Sequence, residues 1–99
     1  MHQAKQLSHA DALIPSEGNI VSDMDGEKVM LSVQNGKYYN LGDMGGMIWD
    51  KLGPTVTVGQ IIDALLEEYD VDPDVCTQQV YTFLQRLLHE GLIRYADAK

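Results

Sequence analysis

Three features of the 99-residue sequence predict an α+β domain in which a three-stranded antiparallel meander precedes three helices. Two Asx-Gly dipeptides, Asp25-Gly26 and Asn35-Gly36, separate segments of alternating polarity. From Gly42 onward the hydrophobic period changes from two residues to about 3.6. Two helix-start signatures, at Thr57 and Asp72, then divide the second half of the chain.

Residues 1–18 are mixed and polar and end in Pro15-Ser16-Glu17-Gly18. They read as a mobile arm, with room for a short strand at Leu13-Ile14. Asn19 to Asp23 and Lys28 to Val33 flank Asp25-Gly26, while Val29 to Val33 and Lys37 to Leu41 flank Asn35-Gly36. Both dipeptides favour the positive φ angles of tight hairpin turns, which joins the three strands into a meander. In the third strand Tyr39 and Leu41 point to one face and Tyr38 and Asn40 to the other.

Asp43 is the expected cap of the first helix, which carries Met44, Met47, Ile48 and Leu52 on one side and stops at Gly53-Pro54. Gly45 and Gly46 inside it each cost roughly 1 kcal/mol relative to Ala, so they predict a close backbone approach to the sheet. Thr57 with Gln60 forms a capping box for a second helix bearing Val58, Ile61, Ile62, Leu65, Leu66 and Tyr69. Asp72-Pro73 opens the third helix, which runs through Cys76, Val80, Phe83, Leu84, Leu87 and Leu88 to Gly91. Leu92 to Tyr95 is a short extended segment, and residues 96–99 a tail. With the last two helices in tight succession, residues 19–95 predict a winged helix-turn-helix-like domain.

Composition narrows the function. At this length about 65% of the unfolded surface can be buried, enough for one core without a disulfide or a metal. Cys76 is the only cysteine and His2, His9 and His89 are scattered, so no zinc site and no intramolecular disulfide are expected. A lone cysteine, with no signal-peptide pattern and no long apolar run, fits a cytoplasmic protein away from the membrane. No phosphate loop, nucleophile elbow or catalytic His/Cys/Asp grouping appears, so neither an enzyme nor a cofactor-binding protein is expected. Fifteen acidic against seven basic residues give a net charge of −8. The outward side of the third helix offers Arg86 as its one firm cation, whereas a groove-reading helix sits among several Lys and Arg residues. Nucleic acid is therefore not the expected partner.

One ordered series of residues spans nearly the whole domain. Gly36-Lys37-Tyr38-Tyr39-Asn40-Leu41 is followed by Gly45, Ile48-Trp49, Leu52 and Val56. Ile62, Leu65 and Tyr69-Asp70-Val71 come next, then Val80, Phe83-Leu84, Leu87 and Gly91-Leu92-Ile93. This series resembles the PqqD-like domain, or RiPP recognition element, and among its members the small stand-alone leader-binding proteins of lasso-peptide biosynthesis. Ser32 stands where the family pattern has Asp, and Gly42 where it has Asn.

The resemblance implies that an unstructured leader peptide adds as a strand to the third strand and lies against the third helix. A separate leader peptidase, or another modification enzyme, would then act on the captured precursor. The residues agree: the third strand of a meander is an edge whose backbone groups can template another strand. At 100° per residue the apolar centre of the third helix falls near Cys76, Val80 and Leu87. One flank carries Gln79, Phe83 and Arg86, the other Leu84 and Leu88. The first flank is the expected groove wall, because it joins an apolar anchor to polar groups.

The predicted peptide-binding set is thus Lys37, Tyr38, Tyr39, Asn40, Leu41, Cys76, Gln79, Val80, Phe83 and Arg86. Several members have plainer readings. Phe83 and Cys76 fit a core stripe, Tyr39 is the core-facing member of its pair, and Arg86 fits a solvated surface. Two other functions stay open. One is a PqqD-type chaperone presenting a precursor to a radical enzyme in quinone cofactor biosynthesis; the other is an acidic winged-helix transcriptional regulator.

Overall fold

The computed structural model describes residues 6–96. Eight elements follow in order: β1 (Leu13–Pro15), β2 (Asn19–Met24), β3 (Glu27–Ser32), β4 (Lys37–Asn40), α1 (Gly42–Lys51), α2 (Val58–Glu68), α3 (Pro73–Glu90) and β5 (Ile93–Tyr95). The meander is β2-β3-β4, and β1 pairs with β5 in a separate two-stranded sheet.

The first hairpin has the predicted geometry. Met24 pairs with Glu27, leaving a two-residue loop in which Asp25 and Gly26 take φ of 55° and 83°. The second differs from expectation. Ser32 pairs with Lys37, so the loop holds four residues and only Gly36 is left-handed. Ser32 explains the longer loop. Its buried hydroxyl accepts a hydrogen bond from the Asn35 N–H at 3.1 Å, and its carbonyl accepts from Gly36 at 2.8 Å. A short polar side chain here does what a turn-initiating Asp would do.

Helix α1 begins two residues earlier than predicted. Leu41 occupies the cap position, no side chain caps it, and Asp43 falls inside the first turn. The Asn40 side chain instead accepts from the Gly42 N–H at 2.9 Å. Gly42 itself sits at φ 73°, a conformation open to Gly and Asn but strained for other residues. For α2 the reciprocal capping box forms, at 3.2 Å and 2.9 Å between Thr57 and Gln60. For α3 the Asp72 carboxylate accepts from Asp74 and Val75 at 2.8 and 3.3 Å.

Residues 6–18 are part of the domain, which corrects their reading as a mobile arm. Leu7 and Leu13 are buried in the core. The carbonyls of Asp11 and His9 accept from Val58 and Gly59 at 2.8 and 3.0 Å, covering donors that the start of α2 would otherwise leave unpaired. Tyr81 Oη and His9 Nδ1 lie 2.6 Å apart, which fastens the same segment to α3. Burial pushes the Tyr81 hydroxyl pKa up, and the Asp11 charge adds to it. Residues 1–5 and the end of the expected tail, 97–99, lie outside the described residues.

The core sits where the inward faces of the meander and the three helices meet. Met30, Ile48, Val58, Leu65, Val80 and Leu84 are inaccessible to solvent. Leu87 lies among them at 2% exposure, one turn beyond Leu84. Leu87→Ala is expected to lower unfolding free energy by about 2–5 kcal/mol in a denaturant titration, the cost of a core cavity. A loss below 0.5 kcal/mol would contradict its placement.

Candidate functional site

Strand β4 lies at the edge of the meander, and no other strand among the described residues covers its outer side. The pairing fixes which backbone groups face outward. The Leu41 N–H donates to the Lys28 carbonyl at 3.0 Å, so Leu41 faces β3. Backbone polar groups alternate along an antiparallel strand, which turns Tyr39 toward β3 and the N–H and C=O of Tyr38 and Asn40 toward the free edge.

Side chains alternate as well. Tyr39 and Leu41 lie on the core face, where Leu41 is buried and Tyr39 half-buried. Tyr38 projects from the opposite face at 75% exposure, in a cross-strand row with Leu31 and Ile20.

A groove runs beside this edge and is bordered by α3. Its larger compartment, of about 540 Å³, has a floor from α1 and the end of β4: Leu41, Met44, Gly45 and Ile48. Its α3 wall is Val75, Gln78, Gln79, Thr82, Phe83 and Arg86. A smaller compartment of about 120 Å³ continues along β4, bounded by residues 38–41 together with Phe83, Arg86 and Leu87. Leu41, Phe83 and Arg86 border both, so the two form one continuous channel.

Contacts at two places fix the walls of the groove. At the β3–β4 loop, Tyr39 Oη donates to Glu90 Oε1 at 3.0 Å. Asn35 Nδ2 donates to Tyr39 Oη at 3.2 Å and to the Glu90 carbonyl at 3.1 Å, tying the loop to the last turn of α3. Toward the other end, Phe83 packs on Gly45. A Cβ there would sit 2.6 Å from Phe83 Cε1, so only glycine admits the ring at that depth.

A family model described as Coenzyme PQQ synthesis protein D (PqqD) matches residues 27–93, from the start of β3 to the start of β5. The chain belongs to the PqqD family. No curated protein matches it. Among solved structures it is similar to one described as TbiB1 in complex with the TbiA(beta) leader peptide. The two are 30% identical over 82% of this chain and 94% of that one, with a TM-score of 0.73. It is also similar to a lasso peptide synthetase B1 complexed with the leader peptide, at 20% identity, 83% and 96% coverage and a TM-score of 0.66, a likeness of fold.

Within this PqqD-family domain the predicted site residues separate into two groups. Tyr38, Tyr39, Asn40, Leu41, Gln79, Phe83 and Arg86 border the groove, and Lys37 is the exposed first residue of β4. Cys76 and Val80 do not. Both are fully buried on the core side of α3, out of reach of anything in the groove. Burial alone pushes the Cys76 thiol up from its ordinary pKa, as for a small core residue.

The sequence reading missed Val75, Gln78 and Thr82, which extend the Gln79/Phe83/Arg86 flank by a further turn at helical spacing. It also missed the floor from α1. The glycine pair was the available signal: Gly46 approaches Lys28 of the sheet as expected, but Gly45 approaches α3. Phe83 is the only phenylalanine, so 4-fluorophenylalanine incorporation gives a single ¹⁹F line. Gly45→Ala is expected to shift that line while leaving the fold intact. An unmoved line would contradict the contact.

Proposed function

We propose that this protein binds the leader peptide of a ribosomally made precursor as an added strand on β4, and presents it to a separate leader peptidase in lasso-peptide biosynthesis. The observation that carries this reading is the free β4 edge lying directly beside an apolar groove. The leader-peptide complexes of the two similar B1 proteins support it.

Energetics explain why edge and groove are both needed. Ordering about eight peptide residues costs on the order of 8–16 kcal/mol of backbone entropy. The outward groups of Tyr38 and Asn40 offer about four hydrogen bonds, each returning about 0.5–1.5 kcal/mol. Strand pairing alone does not hold the peptide. Two or three leader side chains buried against Leu41, Met44 and Phe83, at about 1.5–3 kcal/mol each, supply the remainder.

The protein's part in catalysis is then positional and non-enzymatic. Holding the leader on a rigid edge raises the local concentration of the cleavage site at the peptidase. We read the α2–α3 pair as a winged helix-turn-helix-like support whose third helix faces a peptide rather than a duplex, in a cytoplasmic protein. No helix among the described residues is long and apolar enough to cross a membrane. The family model's own description favours a second reading, a precursor chaperone in quinone cofactor biosynthesis. Both readings use the same groove and differ in the enzyme that receives the peptide.

Titrating ¹⁵N-labelled protein with the cognate leader is expected to give 1:1 binding, with shifts concentrated at residues 37–41 and 79–86. Duplex DNA at low salt is expected to give none. Tyr38→Ala combined with Arg86→Ala is expected to weaken leader affinity at least tenfold with the fold retained. Unchanged affinity in that double variant would overturn the groove assignment.

A further inference from the structure

We propose that Arg86 is the specificity-determining residue of the groove: it reads an aspartate or glutamate side chain of the bound peptide and so fixes the peptide's register. The inference rests on the leader-binding reading and adds to it the chemical class of one peptide position.

The charge distribution singles Arg86 out. The chain carries fifteen acidic residues, yet none borders either groove compartment. Arg86 is the one charged residue that does, and it borders both. Elsewhere among the described residues Lys28 pairs with Asp23 and Asp50 at 3.3 and 3.0 Å and Lys51 with Glu68 at 3.3 Å, while the exposed Lys37 and Arg94 border neither compartment. Arg86 makes no ion pair or hydrogen bond among the described residues. A guanidinium beside an apolar floor presents a rigid fork that matches a carboxylate bidentately. The −8 chain disfavours acidic peptides over most of its surface, and along the groove lining a carboxylate finds its cation only at this fork.

Strand geometry converts this into a sequence signature. Side chains of an added strand that face α3 recur at every second residue, about 6.8 Å apart. A large apolar side chain fills the 540 Å³ compartment. The next groove-facing residue lies at the junction with the smaller compartment, beside Arg86. The peptide class is therefore an extended segment with a large apolar residue and an Asp or Glu two positions apart.

Phage-displayed random 12-residue peptides selected on the full chain, on Arg86→Gln and on Arg86→Glu test this. Circular dichroism first verifies that both variants fold, as expected for an exposed position. The wild-type pool is expected to show the paired apolar and acidic positions. The Arg86→Gln pool is expected to keep the apolar position and lose the acidic one, and the Arg86→Glu pool to replace the acid by Lys or Arg. In a selected peptide, changing the acid to its amide is expected to cost the wild-type protein about tenfold in affinity, and Arg86→Gln less than twofold.

An apolar signature with no acidic position in the wild-type pool, or one that persists unchanged in Arg86→Gln, would overturn the role of Arg86 and leave the leader-binding reading standing. Wild-type pools with no common signature, or peptides that bind Phe83→Glu equally well, would remove that reading and this inference together.

Discussion

The distance between α3 and the β4 edge is the constraint on which the rest of this structure depends. Strand and helix must lie close enough to share a groove and far enough apart to leave it empty. The Tyr39–Glu90–Asn35 hydrogen bonds set one end of that spacing and the seat of Phe83 on Gly45 sets the other. The core fixes the helix itself, since Cys76, Val80, Leu84 and Leu87 are buried along its inner side. With its inner side committed to packing, the helix turns the flank from Val75 to Arg86 to the groove.

The same division of labour separates stability from recognition. Capping, turn chemistry and apolar burial build a scaffold that does not require the groove residues to be filled. The site draws on what a folded sheet leaves over: outward backbone groups at Tyr38 and Asn40, and a partly exposed apolar floor. An edge strand of this kind invites unwanted pairing. Here β4 has four residues, begins with Lys37 and belongs to a strongly acidic chain, features that discourage edge-to-edge association of copies while leaving room for one short peptide.

Much of this was legible in the sequence because it is written in local rules. Asp25-Gly26, the Thr57/Gln60 box and Asp72-Pro73 act over two to four residues, and the structure places those turns and caps where they were expected. The Gln79/Phe83/Arg86 flank followed from helical spacing once the core stripe was identified. What escaped the sequence was non-local. The docking of residues 6–18 depends on Leu7 finding the core and on carbonyls meeting the start of α2, partners some fifty residues away with no local signature. Cys76 and Val80 were assigned to the groove because the centre of an apolar stripe marks the side of a helix that packs without saying against what. The loop at Asn35-Gly36 lengthened because the Ser32 hydroxyl competes for its backbone, an outcome dipeptide preferences do not contain.

Strand addition to β4 is the central claim, and amide hydrogen exchange at four consecutive residues tests it most directly. Tyr39 and Leu41 face β3, whereas Tyr38 and Asn40 face the open edge. Saturation with the cognate leader is predicted to slow exchange at Tyr38 and Asn40 strongly, and to change Tyr39 and Leu41 far less. Unaltered exchange at Tyr38 and Asn40 with the peptide bound would show that the leader is held somewhere other than the β4 edge.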